Sequence, residues 1–199
     1  MTLIEIVAVV LGLISVWLVI RQNVICYPLG IISVFIYIFI FYEVKLYADM
    51  GLQVFFVILQ AYGWYEWLYG GVNKTKLTVR RASRRTRATL FLFTVSGSAV
   101  LGYLLHRYTD AAVPFVDSTL TVMSMAGQWL VARKYIENWN VWMVVNIGSI
   151  AMYGYKDLYF TMILYAVYFG LAIVGYREWK KELMSGVQND ARIRGSSQP

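Results

Sequence analysis

The sequence predicts an all-α membrane protein with seven transmembrane helices. Of the 199 residues, 59% are apolar and only 15% are charged, whereas globular domains carry about 25% charged residues. The apolar residues fall in seven stretches that approach the roughly 20 residues needed to cross a bilayer core. The first three stretches also match the last three in sequence, at one nearly constant spacing along the chain. We therefore predict parallel three-helix repeats in a 3+1+3 arrangement, joined by a linker helix.

The seven predicted spans cover residues 3–21, 27–44, 50–69, 87–106, 115–133, 139–154 and 158–178. The first carries Glu5 where a signal peptide would have basic residues, so we interpret it as a spanning helix and not as a cleaved leader. The sixth is short, which indicates a helix shielded by its neighbours. The single cysteine, Cys26, excludes an intramolecular disulfide and a cysteine metal cluster.

The internal match joins residues of the same type at the same spacing. Trp-Leu-Val at 17–19 recurs at 129–131, and Gly63, Glu66 and Trp67 recur as Gly175, Glu178 and Trp179. Between these matches, a three-residue shift aligns Tyr27 with Trp142. Four spans separate the starts of the two copies, so both have the same orientation. Parallel repeats are typical of transporters that bind their substrate near the middle of the membrane.

Five segments follow from this pattern. They are a first repeat (1–70), a basic loop (71–86), the linker helix with an outer loop (87–112), a second repeat (113–181) and a polar tail expected to be disordered (182–199). Fifteen of the eighteen basic residues fall on one side of the predicted spans, and only Lys45, Arg107 and Lys156 fall on the other. Basic residues stay in the cytoplasm, which predicts an amino end outside and a carboxyl end inside. The basic loop lacks interleaved aromatic residues, so we expect no nucleic-acid partner.

Motifs for enzymatic chemistry are missing from the sequence. It contains no phosphate-binding GxxxxGK[ST], no HExxH, no nucleophile elbow and no Cys/His metal-ligand spacing. The lone His106 sits beside Arg107 in a short polar connection at the end of the fourth span, where we expect a solvated side chain. The sequence thus predicts neither an enzyme nor a cofactor or metal site.

Polar residues recur on single faces of three predicted helices. The stripes are Trp139, Trp142, Asn146, Ser149 and Tyr153 in helix 6, Asp117, Thr121, Ser124 and Gln128 in helix 5, and Gln53, Gln60 and Trp64 in helix 3. An unpartnered polar group in hydrocarbon costs several kcal/mol, so these faces must meet other helices or a cavity. We interpret them as a cavity lined by helices 3, 5 and 6; the alternative is polar packing between helices. Helices 1 and 7 contribute less, mainly Ser15, Tyr165 and Tyr168.

The chemistry of these stripes suggests a class of ligand. Tryptophan and tyrosine rings suit a flat heteroaromatic ring, and a cationic one best, because a cation over an aromatic face gains about 0.5–2 kcal/mol. No basic residue lies deep in the stripes, which favours a nucleoside-like or vitamin-like solute over a nucleotide. Asp117 either attracts a cation at the outer mouth or simply stabilises a helix start. Gly30, Gly63, Gly148 and Gly175 are expected to allow close helix approach.

Three runs of the sequence resemble the PnuC family of bacterial vitamin-precursor transporters: residues 46–67, 117–150 and 175–179, which include a WxxW motif followed by an asparagine. The resemblance implies a fold similar to the full-length SWEET sugar transporters, a homotrimer and a place in the bacterial inner membrane. It also implies facilitated diffusion of nicotinamide riboside, which is trapped by phosphorylation in the cytosol. By the same resemblance, substrate contacts are expected from Trp139, Trp142 and Asn146, with Gln53 and Gln60.

Our hypothesis from the sequence is a uniporter for a cationic vitamin precursor, most simply nicotinamide riboside, that works by alternating access. Relatives of similar sequence carry thiamine or riboflavin, and the polar stripes do not separate thiamine from nicotinamide riboside. The alternative from another class is a membrane binding or scaffold subunit without a transport cycle.

Overall fold

The described residues fold into seven α-helices, as the sequence predicted. The computed structural model describes residues 3–43, 47–109 and 112–196. The helices are α1 (Leu3–Ile20), α2 (Cys26–Glu43), α3 (Tyr47–Tyr69), α4 (Arg84–Tyr108), α5 (Pro114–Ala132), α6 (Asn138–Tyr155) and α7 (Tyr159–Ser196), with a short 3-10 turn at Val72–Lys74. Lys45, residues 110–111 of the predicted outer loop and residues 197–199 of the predicted tail lie outside the described ranges.

Four of the described helices are long and apolar enough to cross a membrane by length and composition alone. They are α1, α2, α4 and the part of α7 from Tyr159 to Ser185. The other three, α3, α5 and α6, are those that carry the predicted polar stripes. Each of the three packs against at least two other helices, so its polar face can meet protein instead of lipid.

Two helices extend beyond their predicted ends. α4 begins at Arg84, where Ser83 caps it by accepting a 3.1 Å hydrogen bond from the Thr86 amide. The same helix continues to Tyr108, so His106 lies in its last turn, although its side chain is exposed as expected. α7 continues to Ser196, so the tail predicted to be disordered is helical up to that residue. No proline interrupts this stretch, which allows the helix to continue.

Two turns at matched positions of the internal repeat have the same unusual backbone conformation. Gln22 follows α1 with φ 54°, and Lys134 follows α5 with φ 50°. Each amide donates to a carbonyl three residues earlier, Gln22 to Val19 at 3.0 Å and Lys134 to Val131 at 2.9 Å. Left-handed backbone is uncommon for residues other than glycine, so its recurrence at matched positions supports the internal repeat.

Two buried tryptophans join the two repeats through equivalent indole-to-carbonyl hydrogen bonds. Trp67 Nε1 donates to the carbonyl of Val131 at 3.0 Å, and Trp179 Nε1 donates to the carbonyl of Val19 at 3.2 Å. The two donors occupy matched positions of the repeat, and so do the two acceptors. The indoles are 3% and 0% exposed and lie in the main apolar core. The core thus sits where the two halves meet, next to the Gln22 and Lys134 turns.

The sequence spacing that relates the first repeat to the second also holds in the second helix of each repeat. The Tyr27 ring lies edge-on to Trp67 and covers Gly63, while the Trp139 ring lies edge-on to Trp179 and covers Gly175. Tyr27 therefore corresponds to Trp139, and the predicted three-residue shift that aligned it with Trp142 is wrong. The predicted close approaches are found, since a Cβ at any of the four predicted glycines would overlap a neighbouring side chain.

Part of the predicted basic loop is built into the structure. Residues 75–83, which we call the strap, run extended across the connection between α5 and α6. The Arg80 amide donates a hydrogen bond to the Lys134 carbonyl, and the Arg80 carbonyl accepts one from the Ile136 amide, both at 3.0 Å. Its guanidinium also lies 4.7 Å from the centre of the Tyr135 ring. The basic loop therefore has a structural role besides its effect on topology.

Lys134 is 6% exposed, and its burial makes the stability of the fold depend on pH. Burial lowers its pKa from 10.5 to about 8, although Glu182 and Cys26 favour the charged form; Lys76 adds to the lowering. The folded protein thus releases this proton more readily than the unfolded chain, so raising the pH from 7 to 9 should stabilise the fold by roughly 1 kcal/mol. Thermal unfolding in detergent at both pH values measures this, and Lys134→Met should abolish the difference. A pH response of equal size in the methionine variant would contradict the assignment.

Candidate functional site

A cavity of about 270 Å³ lies inside the helix bundle, close to the apolar core. This volume is just below the range of about 300–1,000 Å³ found for small-molecule sites. Its lining residues are Gly12, Ser15, Val16, Val19, Cys26, Tyr27, Gly30, Ser33, Val34, Gln60, Gln128, Val131, Trp139, Trp142, Asn146, Tyr165, Tyr168 and Ala172. None of these described residues is charged. Aromatic rings and amides give the cavity its chemical character.

Five of the predicted site residues meet at this cavity. Trp139, Trp142 and Asn146 come from α6, Gln60 from α3 and Gln128 from α5. The three predicted polar stripes therefore converge on one space, as expected. The hydroxyls of Ser15 and Ser33 are already used between α1 and α2, because they donate to the carbonyls of Cys26 and Ala8. The amides of Gln60, Gln128 and Asn146, in contrast, form no hydrogen bond with any described residue.

Six other predicted site residues do not line the cavity. They are Gln53, Trp64, Asp117, Thr121, Ser124 and Tyr153. A stripe of eleven residues extends about 16 Å along a helix axis, so it passes beyond a cavity that lies at one depth. Asp117 pairs with Lys156 at 3.2 Å, Ser124 Oγ donates to Leu120 O, and Tyr153 stacks on Tyr165 at 5.3 Å. Trp64 is 38% exposed.

The second helix contributes to the cavity, although the sequence analysis named no site residue on it. Tyr27 and Gly30 of α2 line the cavity, as do Tyr165 and Tyr168 of α7. The sequence did contain a usable signal: the spacing that relates Trp67 to Trp179 also relates Tyr27 to Trp139. The three-residue shift hid this relation.

Two buried polar atoms at these matched positions lack a partner among the described residues. They are Tyr27 Oη and Trp139 Nε1. An unsatisfied buried donor costs about 1–3 kcal/mol, and most buried polar groups are paired. Both residues line the cavity through other atoms of their rings, whereas the Tyr27 hydroxyl itself lies against Gly63 of α3.

Gly30 creates the space in which the Gln60 amide reaches the cavity. A Cβ at position 30 would overlap Gln60 Oε1 and come within 2.9 Å of Ser15 Oγ. We therefore expect Gly30→Ala to fold but to displace the Gln60 amide, and to weaken solute binding by about 0.5–1.5 kcal/mol, the value of one hydrogen bond. Calorimetric titration measures this, with Gly51→Ala as a control because no atom outside its own helix lies within 4 Å of an added Cβ. Equal affinities in both variants would remove Gln60 from the site.

A second and larger depression, of about 500 Å³, lies between α3, α4 and α5. It is an open surface groove lined mainly by apolar side chains such as Phe55, Leu90 and Phe93, with Arg85, Thr86 and Thr89 as its polar members. Polar groups do not converge in it from several helices. The enclosed cavity is therefore the better candidate for a site that recognises a polar solute.

Comparison with known proteins agrees with this geometry. The family model described as nicotinamide mononucleotide transporter matches residues 2–181. The chain belongs to this transporter family. The family resemblance found in the sequence is thus confirmed, and membership identifies a multi-pass membrane transporter and not an enzyme.

Individual relatives within the family carry more specific names. The chain is 28% identical to the nicotinamide riboside transporter PnuC of Escherichia coli strain K12, over 97% of this chain and 88% of the relative. It is 25% identical to the riboflavin/roseoflavin transporter RibM of Streptomyces davaonensis, over 85% of this chain and 81% of that one. A crystal structure of the vitamin B3 transporter PnuC superposes with a TM-score of 0.72 at 27% identity, covering 92% of this chain and 82% of that chain.

Proposed function

We propose that the protein transports nicotinamide riboside by facilitated diffusion and that the enclosed cavity is its binding site. The observation that carries the proposal is an uncharged cavity in which Trp139, Trp142 and Asn146 meet Gln60 and Gln128. Nicotinamide riboside is a flat pyridinium cation that carries an amide and a hydroxylated sugar. Aromatic rings suit the cation, and free amides suit the sugar and carboxamide.

The absence of charge from the cavity lining argues for the riboside over the mononucleotide. A phosphate group is normally bound by arginine, lysine or a helix N-terminus, and no described lining residue is basic. Lys134 is the one buried cation among the described residues, and it is occupied by the Trp67 ring at 4.4 Å and by Gln22. This agrees with the names of the PnuC relatives.

Riboflavin is the second candidate, because RibM is a relative over most of the chain; thiamine is a third, since it is also cationic and aromatic. The isoalloxazine ring of riboflavin is tricyclic and uncharged. A cavity of about 270 Å³ favours the smaller pyridinium. We therefore expect nicotinamide riboside to compete best for the site.

The proposed cycle is alternating access, in which two parallel three-helix repeats rock about the cavity. The matched turns and tryptophan contacts support this arrangement. We further propose an amino end outside and a carboxyl end in the cytoplasm of a bacterial inner membrane, based on the distribution of basic residues, and a homotrimer by analogy with the family. Accessibility labelling at the two ends tests the orientation.

Uptake into proteoliposomes tests the function. A uniporter should show saturable uptake of labelled nicotinamide riboside that stops when the internal and external concentrations are equal. Excess unlabelled nicotinamide riboside should suppress it more than thiamine or riboflavin does. A membrane binding or scaffold subunit would bind ligand without any flux. Uptake driven above equilibrium by an ion gradient would contradict the uniport mechanism.

A further inference from the structure

Side-chain hydrogen bonds between the two repeats gather at one end of the cavity. Among the described residues, five such bonds join residues 1–70 to residues 113–181, and one more joins Gln22 to Glu182, just beyond the second repeat on α7. Two are the matched bonds from Trp67 and Trp179. Two more come from Arg133, which donates to Glu66 at 2.9 Å and to Tyr62 at 3.0 Å. All lie at the end that carries the strap, so the repeats are held together on that side.

The remaining two bonds form a chain through the centre of this end. Lys134 Nζ donates to Gln22 Oε1 at 3.0 Å, and Gln22 Nε2 donates to Glu182. Lys134 is buried, Gln22 is half-buried and Glu182 is exposed, so the chain extends from the core to the surface. We call these three residues the latch. Two of its members are the matched left-handed residues that follow α1 and α5.

The latch lies directly against the cavity lining. The Gln22 and Lys134 amides bond to Val19 and Val131, which both line the cavity. The Lys134 ammonium also lies 4.4 Å from the centre of the Trp67 ring. The latch therefore lies between the cavity lining and the strap.

We propose that Gln22, Lys134 and Glu182 form the gate that closes the cavity at the strap end, and that transport requires this latch to open. The inference rests on the proposed transport function, because only a transporter must separate its repeats at this end. Gln22 is the decisive residue, since it bonds to both partners. Its loss leaves a buried ammonium without its hydrogen-bond acceptor, which strongly disfavours the closed state.

Cys26 provides a reporter that does not depend on substrate. It is the single cysteine of the chain, it is a free thiol buried at 1% exposure, and it lines the cavity. A membrane-impermeant methanethiosulfonate reagent can be added to vesicles of either sidedness. Labelling is then followed by mass spectrometry of the purified full-length protein.

Gln22→Leu should accelerate Cys26 labelling from the strap side by about tenfold or more, because an uncompensated buried charge costs several kcal/mol. The double variant Gln22→Leu/Lys134→Met should return the rate close to that of the native protein, since replacing both partners with apolar side chains is nearly neutral. Glu182→Ala removes only the exposed member, so it should give a smaller increase without a risk to folding.

Lys156→Met is the matched control, because it breaks the 3.2 Å ion pair with Asp117 instead of a latch contact. It should leave labelling from the strap side unchanged. The proposal is overturned if Gln22→Leu labels at the native rate, if the acceleration comes from the opposite face, or if the double variant stays as reactive as the single one. A latch that behaves as described in a protein without uptake would contradict the transport function and not the gate.

Discussion

Replacing Trp142 with alanine is expected to weaken the binding of nicotinamide riboside by about fivefold or more, since stacking on an aromatic side chain is worth about 1–3 kcal/mol per base. Trp142 lines the cavity and packs over Gly127, where an added Cβ would lie 3.3 Å from the indole. Glycine at this position lets the indole pack closely against α5. The alanine variant removes this aromatic surface. Calorimetric titration of purified protein measures the change in affinity.

Trp64→Ala is the matched control for this prediction. Trp64 belongs to the predicted stripe of α3, but it is 38% exposed and does not line the cavity. Its loss should leave the affinity unchanged. If Trp64→Ala and Trp142→Ala weaken binding equally, the solute does not bind in this cavity.

Gly175→Ala should reduce both stability and affinity. An added Cβ would lie 2.5 Å from the Trp139 ring. This ring has little freedom to move, because it is 2% exposed and packs edge-on against Trp179 at 5.4 Å. Overpacking of this kind typically costs about 1–3 kcal/mol. Since Trp139 also lines the cavity, its displacement should weaken solute binding as well.

Gly170→Ala provides the comparison on the same helix. No atom outside its own helix lies within 4 Å of a Cβ added there, and alanine is favoured over glycine within helices by about 1 kcal/mol. Its thermal unfolding temperature in detergent should therefore be unchanged or higher, with native affinity. Two variants of equal stability would show that the Trp139 ring relaxes freely, which would contradict the rigid core described above.

The sequence was most informative where polar residues interrupted an apolar helix. The spacing of Trp139, Trp142 and Asn146 predicted one face of α6, and all three line the cavity. Depth could not be predicted in the same way, because periodicity gives the face of a helix and not the level along it. Gln53 and Gln60 share a face of α3, yet only Gln60 reaches the cavity.

The contributions of α1 and α2 were harder to predict for a different reason. Tyr27 lies in an apolar stretch where a tyrosine is unremarkable, and Gly30 was expected only to allow close helix approach. Their importance depends on which helices become neighbours, and helix pairing was not available from the sequence. The three-residue shift then placed Tyr27 opposite Trp142 instead of Trp139. Contacts across the bundle, and not local pattern, establish the correct match.

The strap has a consequence for how a protein of this shape could have arisen. The Trp67 and Trp179 contacts are equivalent, so two separate three-helix chains could form both by dimerising. The pairing of Arg80 with Lys134 and Ile136 has no such counterpart, because the strap belongs to the segment that connects the copies. A gene duplication followed by fusion would therefore have added something that a dimer of half-length ancestors lacked: a covalent tether that marks one copy as different from the other.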